Sequence, residues 1–258
     1  MLAALLRGTD WSKIADYLSP ELFHVVPPLS MAKQVQTLVK SYRNHSEFGS
    51  LKISLGSQLA ASNWGILVGD RAPGEKIAST EALSLGDRIL RLYFWQLLSQ
   101  PAAVLDLRSK GWEKREDGTY LWNPSPLYIA WDPDFLAAVR QMYRGFYQNN
   151  ESLLDEGLDA IGMKPGKAAL MQHFGLDQER VSFDLAHFRS SFHEIFLACK
   201  EGKSRLHPNV LGLGAILACL YEHLQLLAGT YDVRAAFLDA EKFMAETRVP
   251  KHESRYAT

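Results

Sequence analysis

After Asp132 the chain is punctuated: Gly162, Pro165, Gly175, Gly202, Pro208 and Gly229 each stand where one run of helical periodicity stops and the next starts. Asp132-Pro133 supplies a capping carboxylate and a proline suited to the first helical position. Behind them Phe135, Val139, Met142, Tyr143, Phe146 and Tyr147 recur on one helical face, with Arg140 and Arg144 together off it. Further helices are expected over 151–161, 166–174, 184–200, 208–227 and 233–247. Agreement between periodicity and breakers across five successive segments predicts a helical bundle with short connections.

The residues before 132 read differently. Helical spacing is expected over 11–18 and 30–42. Imperfect alternation over 51–68 suggests short strands ahead of a polar loop at 69–75. Leu85, Ile89, Leu92, Tyr93 and Trp95 mark a core helix over 83–98. Short β-like runs follow at 102–107, 118–121 and 126–131, separated by a charged turn at 110–117 and by Asn123-Pro124. The expected fold is therefore α+β and predominantly helical, with a small β element in the N-terminal half and a C-terminal helical bundle. We read 1–258 as one domain, mixed over 1–82 and helical over 83–258; a chain of 258 residues with 47% hydrophobic side chains can bury a core of that extent.

Charge narrows the partners. Residues 1–129 hold 14 basic and 12 acidic side chains and residues 130–258 hold 14 and 17, so neither half has the basic excess on which phosphate-backbone affinity depends. Nucleic acid is not an expected partner. The longest run of apolar residues and glycine, 210–221, has 12 positions against the ~20 that span a bilayer, and reads as a buried core helix. No basic segment precedes the six apolar residues at the N-terminus, which leads us to expect a cytosolic protein. Cys199 and Cys219 lie within apolar helical patterns, where a reduced thiol behaves as a small hydrophobe.

The sequence carries few motifs with chemistry. Gly69-Asp70-Arg71-Ala72-Pro73-Gly74-Glu75-Lys76 has the outline of a phosphate-binding loop, but Glu75 stands where the lysine must be and no Ser or Thr follows Lys76. An ordinary surface turn is the expectation. His187 and His193 are six apart and face different ways on a helix, and neither His193-Glu194 nor Glu222-His223 has a metal-ligand spacing, so no metal site is expected. There is no Gly-x-Ser-x-Gly elbow, and neither cysteine has an activating context. What remains is a polar cluster: Asp106, Arg108 and Lys110 after one strand, and Asp132 and Asp134 after another.

The order of elements around that cluster resembles the C-terminal lobe of the UbiB-type atypical kinases. The helix ending near Gln100, the segment Val104-Leu105-Asp106-Leu107 and the strand Leu127-Tyr128-Ile129-Ala130-Trp131-Asp132 fall in the family's sequence of helix, catalytic segment and metal-site strand. The tail resembles it too, from Phe146-Tyr147-Gln148-Asn149-Asn150 to the helix after His207-Pro208-Asn209-Val210. The resemblance implies that Asp106 is the catalytic-loop carboxylate and Asp132 a metal carboxylate. The motifs that would perform phosphoryl transfer are missing: Arg108-Ser109-Lys110-Gly111 replaces His-Pro-Gly-Asn, Trp131-Asp132-Pro133 replaces Asp-Phe-Gly, and Lys-x-Gly-Gln is absent. We therefore expect a non-catalytic helical protein that binds a partner protein or a small ligand near Asp106, Arg108 and Asp132. The alternative is a divergent kinase-like phosphotransferase, or another carboxylate-dependent enzyme, using Asp106 and Asp132. A homodimer pairing apolar helices is a third possibility. No cofactor is indicated.

Overall fold

A computed structural model describes residues 53–55, 59–62, 65–68, 75–76, 79–104, 107, 112–122, 128–174 and 179–248. The helices expected over 11–18 and 30–42 lie outside these residues. So do Asp106, Arg108 and Lys110.

The strands come first. β1 (Ile53–Leu55), β7 (Tyr120–Trp122), β6 (Trp112–Lys114) and β4 (Glu75–Lys76) form a four-stranded sheet in that spatial order. β1 runs parallel to β7, and the other neighbours are antiparallel. β2 (Leu59–Ser62) and β3 (Gly65–Val68) make a separate hairpin, in keeping with the strands expected over 51–68. Two expectations change here. The charged stretch 110–117 holds β6, and Glu75-Lys76 is strand β4, opposite Lys114 and Glu113. Buried Trp112 explains the first, because it stacks on Trp122 across the ladder with ring centroids 5.6 Å apart, and a cross-strand aromatic pair outweighs two charged neighbours. The turn proper is confined to Arg115–Thr119, where the Asp117 carboxylate accepts from the Thr119 backbone N–H at 2.9 Å.

Helix α1 (Ala82–Ser99) is the central element, with Leu85, Ile89, Leu92 and Trp95 all fully buried. Gln96 is buried on the same helix because its amide serves β5 (Ala102–Val104). Its Oε1 accepts from the Val104 N–H at 2.7 Å, which satisfies a strand group that would otherwise be orphaned. β5 pairs antiparallel with β8 (Tyr128–Ala130), after which α2 (Pro133–Tyr147) begins. The two arginines set off the α2 stripe have structural partners. Arg140 donates from Nε to the Leu97 carbonyl at the C-terminal end of α1, at 2.8 Å, and Arg144 pairs with Glu241 of α7 (Val233–Arg248), at 2.6 Å.

The second half is helical, as expected: α3 (Glu151–Ala160), α4 (Lys167–His173), α5 (Leu185–Glu201), α6 (Val210–Leu226) and α7, with a two-stranded ribbon of β9 (Val181–Ser182) and β10 (Thr230–Tyr231) between them. α6 is the apolar run of the sequence, buried at Val210, Leu213, Ile216, Leu217 and Leu220. Among the described residues no helix is long and apolar enough to cross a membrane.

The punctuating glycines do two different jobs. Gly162 takes φ +75° and closes α3 with the paired carbonyl bonds of a Schellman turn, Gly162 N–H to Asp159 and Met163 N–H to Leu158. At the ends of α5 and α6 the left-handed residues are Lys203 and Ala228, not the glycines beside them. Gly202 and Gly229 are there for space: a Cβ would sit 2.9 Å from Pro165 in the first case and 2.5 Å from Leu83 Cδ2 in the second.

Candidate functional site

Asp132 stands at the start of α2, and its side chain is spent locally. Oδ1 accepts from the backbone N–H groups of Asp134 and Phe135, each at 3.0 Å, satisfying two of the orphaned donors of the first helical turn. Its own N–H donates to Asn209 Oδ1 at 2.8 Å, so Asn209, at the N-terminus of α6, caps its neighbour's approach rather than its own helix. His207 completes the junction. Its Nδ1 accepts from the Asn209 N–H at 3.1 Å, which leaves the hydrogen of the neutral ring on Nε2, 3.8 Å from Asp132 Oδ1. The imidazole stacks on Phe135 at 4.8 Å, and Phe135 stacks on Trp131 at 5.8 Å. The junction ties the starts of α2 and α6 together.

The antiparallel register bears on the polar cluster. Ala102 lies opposite Ala130 and Val104 opposite Tyr128, so the chain leaves β5 at one end of the ribbon and leaves β8, toward Asp132, at the other. Leu107, between Asp106 and Arg108, is fully buried. Among the described residues no three His, Cys, Asp or Glu side chains come together as metal ligands.

If Asp132 works as a cap, Asp132→Asn should melt within a degree or so of the wild type, whereas Asp132→Ala should lose about 1 kcal/mol, or roughly 2–4 °C in Tm for a chain of this size. A thermal melt of the two variants checks this; equal losses in both would point to a role for the charge itself.

A concavity lies at the other end of α2, about 20 Å away along the helix axis. It is a groove of ≈ 800 Å³ between the C-terminal end of α2, α4, β9 and the start of α7. Phe146, Tyr147, Met171, Phe174, Val181 and Val233 supply its rings and aliphatic chains, although more of its exposed lining is polar than apolar. The ring of Phe174 lies 4.7 Å from Phe146 and 5.3 Å from Tyr143. Three cations and three anions share the rim, and most are engaged. Lys167 bonds Glu151 at 2.8 Å and Asp155 at 2.5 Å, the Asp155 bond first among the causes that raise its pKa. Arg180 donates to the Thr230 carbonyl at 2.5 Å, and Asp232 accepts from the Ala235 N–H at 2.8 Å at the start of α7. With Glu179 and Arg234 also on the rim, a guest in the groove meets charge as well as aromatic rings.

Beneath the groove is a small chamber of ≈ 30 Å³, walled by α1, α2 and α6 and sharing Tyr147, Phe174, Val181 and Val233 with the groove. Tyr93 and Tyr143 meet in its wall, hydroxyl to hydroxyl at 2.7 Å. Burial raises the pKa of both, and of Tyr147 and Tyr221 beside them, so all four phenols stay protonated at neutral pH.

The sequence places Tyr143, Phe146 and Tyr147 on the apolar stripe of α2, but nothing in it distinguishes a stripe packed along its whole length from one that ends, among the described residues, at a groove. Met171, Phe174, Val181 and Val233 come from three further elements, and no spacing in the chain announces that they converge.

No described protein family and no curated protein matches the chain. A solved structure does: the complex of Rv3197 with erythromycin from Mycobacterium tuberculosis is similar at a TM-score of 0.53 and 12% identity, over 80% of this chain and 55% of that one. The likeness is one of fold alone. This chain spans about half the length of the solved chain it matches.

Proposed function

We propose that this protein binds a small apolar or amphipathic molecule in the groove at the C-terminal end of α2 and performs no chemistry on it. The observation that carries the reading is the ≈ 800 Å³ groove with its aromatic floor, a size within the usual range of ligand pockets. Three things support it. The floor residues are rings and aliphatic chains that bind by burial rather than by proton transfer. Asp132 is occupied as a helix cap. The solved structure of similar fold carries erythromycin, a bulky amphipathic molecule, which makes macrolides sensible first candidates. In this reading the helical part is a lobe of UbiB-like order from which the phosphoryl-transfer motifs have gone, and the cluster near Asp106, Arg108 and Asp132 is not where the guest sits.

The test uses anilinonaphthalene sulfonate as the probe. Its fluorescence should rise saturably with one site per chain, and Met171→Trp, which fills the groove from α4, should weaken binding about tenfold or more, because the rings of the probe lose tens of Å² of apolar burial. Erythromycin should compete. Unsaturable binding, or a Met171→Trp protein that binds as well as wild type, would overturn the reading. So would clear thermal stabilisation by ATP with magnesium that disappears in Asp132→Ala, which would favour the kinase-like alternative.

A further inference from the structure

The chamber under the groove has a hydrogen-bonding imbalance in its wall. Tyr93 and Tyr143 carry two hydroxyl hydrogens between them, and the single bond that joins their oxygens at 2.7 Å uses one. The other has no acceptor among the described residues. Both side chains are buried, with 1% and 2% exposure, so bulk water does not satisfy it. A donor left unmade in an apolar wall is costly, and an acceptor brought to it is correspondingly favoured. Leu90, Phe94 and Leu217 in the same wall are hydrocarbon and cannot accept, and the hydroxyls of Tyr147 and Tyr221, which also line the chamber, make no hydrogen bond to the pair.

Resting on the proposal that the groove is a ligand site, we propose that the chamber reads one feature of the guest: a ketone or ether oxygen on an apolar tip, which takes the spare hydrogen of the Tyr93–Tyr143 pair. The body of the molecule lies along Phe146, Tyr147 and Phe174, and the tip passes between Tyr147 and Val233, which the groove and chamber share. The volume beyond them admits only a few heavy atoms, so the tip is small and the bulk of the guest remains outside. Burial keeps both phenols protonated through the neutral range, so the donor is present whatever the working pH. The recognition is by acceptor, not by charge.

Two probes of nearly equal shape separate the contributions. Para-fluoroacetophenone offers a carbonyl oxygen where para-fluorocumene has a methyl group, and fluorine NMR titration reads the affinity of each. Wild type should prefer the ketone by about tenfold, the worth of one buried hydrogen bond. In the double variant Tyr93→Phe, Tyr143→Phe, which removes both hydroxyls and leaves no orphaned partner, the preference should fall to twofold or less while the cumene affinity holds. Tyr143→Phe alone leaves the Tyr93 hydrogen free and should keep part of the preference. Equal binding of the two probes by wild type, whether because water fills the chamber or because the hydrogen points elsewhere, overturns this inference and leaves the groove reading standing. A ketone preference that survives the double variant also overturns it. If neither probe binds while anilinonaphthalene sulfonate still binds saturably, this inference falls and the groove reading stands; if the sulfonate does not bind saturably either, both fall.

Discussion

Gly145→Ala is expected to cost about 3 kcal/mol or more, lowering Tm by roughly 6–12 °C. Gly145 lies on α2 where α3 crosses it, and a Cβ there would stand 2.2 Å from the Leu154 backbone nitrogen and 2.6 Å from its Cα. No rotamer change relieves a clash with backbone, so the two helices must move apart. Gly157 on α3 makes the reciprocal approach, its absent Cβ 2.6 Å from the Met142 nitrogen. The two glycines share one interface, so Gly145→Ala with Gly157→Ala should cost less than the sum of the single changes, the first separation having already made room for the second. A contrasting substitution is Gly118→Ala in the β6–β7 turn. Nothing lies within 4 Å of that Cβ, and only the φ of +78° is strained, so a loss of about 1–2 kcal/mol is expected. Denaturant melts of the four variants check the ranking. A Gly145→Ala protein as stable as wild type would mean that α2 and α3 do not pack this closely.

The second large effect is expected at high pH. Tyr93, Tyr143, Tyr147 and Tyr221 are held above the ordinary tyrosine value, in each case chiefly because burial penalises the phenolate. The unfolded chain releases these protons near pH 10, whereas the folded protein keeps them. Between the two values the native state therefore binds more protons than the unfolded state. Stability is whole below about pH 10 and falls as pH rises, by up to about 1.4 kcal/mol per pH unit for each group. Of the chain's 10 tyrosines, these four should ionise only as the protein unfolds. Tyrosinate absorbance followed alongside far-ultraviolet circular dichroism should show one early phase and a second that coincides with loss of helix. Smooth titration of all the tyrosines in a folded protein would contradict the burial of the chamber wall.

How much of this was legible in the sequence differs between fold and site, for a physical reason. Helices announce themselves because their apolar residues are neighbours in the chain: α3, α5, α6 and α7 begin and end within a few residues of the expected positions. The capping role of Asp132 could be read from the proline behind it. β6 could not, since its stability comes from Trp122 across a hairpin and from β4 some forty residues earlier, while its own residues are mostly charged. The glycines at α5 and α6 were legible as boundaries but not in mechanism, because a close approach by Pro165 or Leu83 leaves no local signature. The groove is the extreme case. It is made where, among the described residues, α2, α4, β9 and α7 do not close over one another, and a gap between elements is a property of their packing rather than of any one of them. Charged residues beside strands are conspicuous in a sequence, whereas rings on the stripe of a helix look like core.

Intermolecular nuclear Overhauser effects from bound anilinonaphthalene sulfonate locate the guest directly. We predict cross-peaks from the naphthalene protons to the Met171 methyl, to the Val181 and Val233 methyls and to the ring protons of Phe146 and Phe174. Cross-peaks to His207 and Trp131 beside Asp132, with none to Met171 or Val233, would contradict it.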